Sequence, residues 1–152
     1  MESVRKRDRE SILDLVSLGV FLIVVGYVWS QHIDLPSRIL SFIRSMGTYR
    51  RLPPYSSYND VYDSFILLTY MLGAWSLILA VIKIPLGAGV SSALGSAFGG
   101  LFLFAIGFFA GEYIEGRLTA TTVLAYVFIL GGLLIIAGAL ANEATKHKGP
   151  RT

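Results

Sequence analysis

Four apolar runs in this chain of 152 residues are each long enough to cross a hydrocarbon core, which takes about 20 residues of helix. They cover 12–29, 64–82, 86–111 and 121–141. Backbone donors and acceptors placed in lipid must be satisfied within the segment, and a helix does this. The expected fold class is therefore an all-α integral membrane protein, with four transmembrane helices in a bundle and one membrane domain over 1–152. Composition agrees. The chain is 54% hydrophobic and 15% charged, against about 25% charged in soluble domains, and its mean hydropathy is +0.63. Without cysteine there is no disulfide framework, thiolate metal site or cysteine nucleophile.

A cleaved signal competes with a span for the first run, with Val28 and Ser30 as small residues before a cut at Gln31. The run exceeds the usual core of about 7–15 residues, which favours a retained span. With four spans both termini share a side. That side carries eight basic residues: Arg5, Lys6, Arg7, Arg9, Lys83, Lys146, Lys148 and Arg151. The other carries five: Arg38, Arg44, Arg50, Arg51 and Arg117. The positive-inside rule then predicts cytoplasmic termini in a cell membrane. The net charge of +3 sits in segments flanking the apolar runs, so it reads as membrane-surface charge and not as a nucleic-acid face.

The third run carries a ladder of small residues. Gly87, Ser91, Gly95, Gly99, Gly107 and Gly111 follow a four-residue repeat broken only at Leu103. Such spacing lets helix backbones touch in lipid and favours a steep right-handed crossing. The repeat drifts around the helix, so Gly95/Gly99 and Gly107/Gly111 form two patches about 120° apart. The third helix is therefore expected to touch two neighbours, in its own chain or in a partner. The other runs repeat small residues every seven positions: Gly19 and Gly26, Gly73 and Ala80, Gly131 and Gly138, with Ala125, Gly132 and Ala139 as a second series. A seven-residue seam suits left-handed bundle packing.

The segment 30–63 is the one substantial connection. Over 35–46 it reads as an amphipathic helix, with Asp34 as cap, Pro36 in the first turn and Gly47 at the end. Leu35, Ile39, Phe42 and Met46 share a face beside Ile43, while Ser37, Ser41, Arg44 and Ser45 take the other. That pattern fits a helix lying in the membrane interface, or one packed over the mouth of the bundle. The stretch 47–63 carries Tyr49, Tyr55, Tyr58 and Tyr62 around Pro53 and Pro54. Tyrosines here serve as interfacial anchors or as a partner surface.

The middles of all four spans lack Asp, Glu, Lys, Arg and His. Proton- or cation-coupled transport relies on ionisable groups at that depth, so their absence argues against it. The nearest approaches are weak. Asp14 suits capping or pairing with the Arg-rich amino-terminal segment, and Glu112 and Glu115 lie one turn apart with Arg117 beyond them. His32 and His147, the two histidines, fall outside the spans, which excludes a bis-histidine haem within one chain. Ser91, Ser92 and Ser96 have no base near in sequence and read as packing residues. The expected function is non-catalytic: a structural or accessory subunit of a homo-oligomer or larger membrane complex, without cofactor or metal. A small oligomeric channel or transporter is the alternative. An interfacial enzyme using Glu112, Glu115 or His32 comes third.

Overall fold

The computed structural model describes residues 2–49, 52–86 and 90–146, with side chains over 12–48, 52–86, 90–141 and at Glu143. These residues form five α-helices and one 3-10 turn, with no strand among them: α1 (Glu2–Gln31), α2 (Leu35–Tyr49), the turn Tyr55–Ser57, α3 (Asn59–Lys83), α4 (Val90–Ile114) and α5 (Ala120–Lys146). Four contain stretches long and apolar enough to cross a membrane: Ile12–Gln31, Asn59–Lys83, Val90–Ile114 and Ala120–Ala141.

Several boundaries differ from expectation for local reasons. α1 begins at Glu2, because its Arg, Lys and Glu residues are good helix formers. Asp14 is thus an exposed mid-helix residue and caps nothing. α2 runs through Gly47 to Tyr49. Asp34 does begin it, but through its carbonyl, which accepts from the Arg38 N–H at 3.0 Å and the Ser37 hydroxyl at 2.8 Å. α4 starts at Val90, after a turn over 84–86 that contains Pro85. Thr119 caps α5, its hydroxyl accepting from the Thr122 N–H at 3.3 Å.

The long helices lie in a row, α1–α3–α4–α5, with the most extensive contact between α3 and α4 and no extensive contact closing the ends. α2 and the 3-10 turn pack on α3. Buried Tyr62, Thr69, Gly73 and Ala80 fall on one side of α3, facing α4. Ser64 and Leu79, also buried, fall about a third to half of a turn away from that side. α1 buries Val24 and Val28. No described large side chain is fully enclosed, and no residue of the α5 span is buried.

Candidate functional site

The α3–α4 contact is set by a seven-residue series that the four-residue ladder conceals. Ala93, Gly100 and Gly107 are the buried residues of α4. A Cβ on Gly100 would stand 2.8 Å from the Gly73 carbonyl oxygen and 3.0 Å from the Leu77 side chain. One on Gly107 would stand 2.7 Å from the Thr69 hydroxyl, and one on Gly73 would stand 3.0 Å from Phe104. Backbones therefore approach closely along this seam, in the spacing of shallow left-handed packing. Of the ladder, only Gly107 takes part. Cβ atoms on Gly95, Gly99 and Gly111 would meet nothing within 4 Å, Ser91 is exposed, and Gly87 lies outside the described residues.

On α5, Gly131 and Gly138 face the rings of Phe102 and Phe98, at 3.3 and 3.5 Å from their Cβ positions. Phe109 and Tyr126 continue the contact, ring centroids 5.4 Å apart. α4 thus touches two neighbours, but not through the two expected glycine patches: it meets α5 with Phe98, Phe102 and Phe109, and of the two patches only Gly107 is in contact, with α3. Gly19 and Gly26 on α1 and Gly132 on α5 open onto empty space. The far end of the α3–α4 pair is tied by Lys83, whose Nζ donates to Ser96 Oγ at 2.7 Å. Thirteen positions separate these residues, which is why no basic partner for Ser96 was visible in the chain. The contact ties the end of α3 to the first turns of α4.

The polar end gathers α2, the 3-10 turn, the start of α3 and the end of α4. Tyr62 and Tyr113 mark it, ring centroids 6.2 Å apart. Tyr62 is buried, donates to the Pro53 carbonyl at 2.7 Å, and meets Phe42 edge-on at 5.4 Å. It is thus part of the internal packing and unavailable to a partner. Tyr58 also meets Phe42 edge-on, and its hydroxyl lies 2.7 Å from Ser45 Oγ. Tyr55 donates to the Asp63 carboxylate at 3.1 and 3.2 Å. That bond, then burial and the Asp63 charge, hold the Tyr55 phenol above its ordinary value near 10. The Tyr49 side chain lies outside the described residues.

Between α2 and the segment 52–58 is an open pocket of about 600 Å³. Arg38, Ser41 and Ser45 form one wall; Leu52, Pro53, Pro54, Ser57 and Tyr58 form the other. Arg38 Nε pairs with Asp60 Oδ2 at 2.9 Å, and its Nη1 donates to the Ser57 carbonyl at 3.3 Å. Asp60 Oδ1 is buried without a hydrogen-bond partner, so Arg38 compensates this carboxylate alone. The two serines on the polar side of α2 therefore line a cavity. The exposed apolar residues of α2 are Ile39, Leu40, Ile43 and Met46, while Phe42 turns inward onto Tyr58 and Tyr62.

No family model, curated protein or solved structure matches the chain.

The remaining candidates are held in local structure. Gly116, at φ +73°, ends α4 in a Schellman turn: its N–H donates to the Tyr113 carbonyl at 3.1 Å and that of Arg117 to the Glu112 carbonyl at 3.0 Å. Arg117 then pairs with both acids, reaching Glu112 Oε1 at 2.9 Å and Glu115 Oε2 at 2.6 Å. This ion-pair triad closes the turn and occupies the carboxylates. His32 is exposed just beyond α1. No cluster of three or more His, Cys, Asp or Glu suited to a metal occurs among the described residues.

Proposed function

We propose that the chain is a four-span protein of the cell membrane, with cytoplasmic termini, acting as a non-catalytic structural or accessory subunit of a homo-oligomer or larger membrane complex. The observation that carries this is the open row. Large apolar side chains stand exposed along its helices, including Ile23 at 70%, Phe128 at 76% and Ile135 at 75%. Water does not tolerate a patch of that extent, and lipid does. The exposed apolar side of α2 suits a helix lying at the membrane interface beside the polar end.

Open small-residue faces on α1, α4 and α5 support the assembly part of the reading. In lipid, such faces gain stability when another backbone packs against them. Gentle extraction followed by cross-linking and native mass spectrometry tests it. A defined oligomer or stoichiometric partner is expected, and Gly95→Leu should weaken it while leaving the isolated chain folded. A chain recovered with lipid alone, unaffected by Gly95→Leu, would refute the assembly role.

A further inference from the structure

We propose that the pocket between α2 and the segment 52–58 binds a phosphate ester, and that the membrane supplies it as a phospholipid head group. The inference rests on the membrane reading above for the source of the ligand, but its chemistry comes from the pocket.

Hydrogen-bond donors without partners converge there. The Arg38 guanidinium has five N–H groups; Nε is used by Asp60 and one Nη1 hydrogen by the Ser57 carbonyl. Nη2 keeps both of its donors. Among the described residues the Ser57 hydroxyl has no partner, and the Ser45–Tyr58 hydroxyl pair keeps one hydrogen whose one acceptor there is the Ser41 carbonyl, 3.5 Å away. That distance is at the limit for a hydrogen bond, so the hydroxyl is free to turn into the pocket. No carboxylate is among the described residues that line the cavity. Asp60 holds Arg38 through Nε, fixing the guanidinium plane with its unpaired edge available.

Planar donors plus hydroxyls, with Asp60 engaged at Nε and outside the cavity lining, match the oxygens of a phosphate. Because Asp60 offsets the Arg38 charge, recognition relies on directed hydrogen bonds more than on net charge. The size fits a head group, since ligand pockets typically span about 300–1,000 Å³. Leu52 and the two prolines give one wall an apolar surface, and Ile39, Leu40 and Ile43 stand exposed on the same helix as Arg38. Those residues offer an acyl chain a path from the pocket into lipid.

The test uses the full chain in detergent, with ligand binding followed by native mass spectrometry and thermal shift. The probes are dioleoyl phosphatidylglycerol, dioleoylglycerol with the same tails and no phosphate, and soluble glycerol 3-phosphate. The phosphatidylglycerol should bind at least about tenfold tighter than dioleoylglycerol, the scale of one lost charge-assisted hydrogen bond. Arg38→Lys, which keeps the charge but not the fork, and Ser57→Val, which leaves the Arg38–Asp60 pair intact, should each remove about tenfold. Arg44→Gln, which deletes a charge on α2 outside the pocket, should change binding less than twofold. Equal binding of glycerol 3-phosphate would support the phosphate site and overturn its lipid source. Equal binding of dioleoylglycerol, or an Arg44→Gln loss matching Arg38→Lys, would overturn the pocket. Liposome flotation separates the two readings: failure to float refutes membrane insertion, whereas floating without phosphate preference refutes the pocket alone.

Discussion

Tyr55 and Asp63 form a contact whose pH behaviour can be worked out. The phenol donates to the carboxylate, so the neutral form of Tyr55 is favoured in the fold and its titration is displaced upward. The contribution is therefore present below the unfolded tyrosine value near 10 and is lost as pH rises through the higher folded value. Asp63→Asn removes the charge and weakens the acceptor, so the Tyr55 titration should move down toward the ordinary value. Carbon-13 labelling of the tyrosine ring reads this directly, and an unmoved Tyr55 resonance profile would contradict the contact. Only one side of this pairing was readable from the chain. Tyr55 and Asp63 lie eight positions apart, but they meet only because the 3-10 turn and the first turn of α3 fold toward each other.

Two glycines five positions apart on α4 should behave in opposite ways. Gly100→Ala puts a methyl against the Gly73 carbonyl, a backbone atom that cannot move aside without separating α3 from α4. Overpacking of that kind costs about 1–3 kcal/mol. Gly95→Ala meets open space and replaces a poor helix former, so the isolated chain should be unchanged or slightly more stable. Thermal or denaturant unfolding of the two variants in one detergent compares them, and equal shifts would contradict the seam. The helices themselves were legible, because apolar length and Gly/Pro punctuation are local signals. The contact face of α4 was not. Glycine carries no side chain to mark a face, so the four-residue series Gly95, Gly99, Gly107, Gly111 stood out, while the seam uses Ala93, Gly100 and Gly107. The pocket was hidden for a related reason: Ser41 and Ser45 look like a solvated helix side until the segment 52–58 folds across them.

At the scale of the whole molecule, the single helix α3 separates the polar end from the α3–α4 turn, so the proposed spans put these two points on opposite sides of a bilayer. The chain contains no cysteine, so a single introduced one is the sole thiol. Ser56→Cys at the polar end and Ile84→Cys in the exposed turn are suitable reporters. An impermeant maleimide should label the first on intact cells and the second only after permeabilisation. The reverse pattern would reject the orientation while keeping the four spans, and same-side labelling would reject the spans. The row arrangement also gives the molecule an uneven mechanical character. Each long helix leans chiefly on its immediate neighbours, so a load is borne contact by contact and is not shared around a closed ring. Pulled from its carboxyl end, the chain resists first through the ring-on-glycine contacts of α5, with the backbone-close α3–α4 pair behind them. Its ends would peel before its middle yields, and the antiparallel hairpin of α3 and α4 is the piece built to give way last.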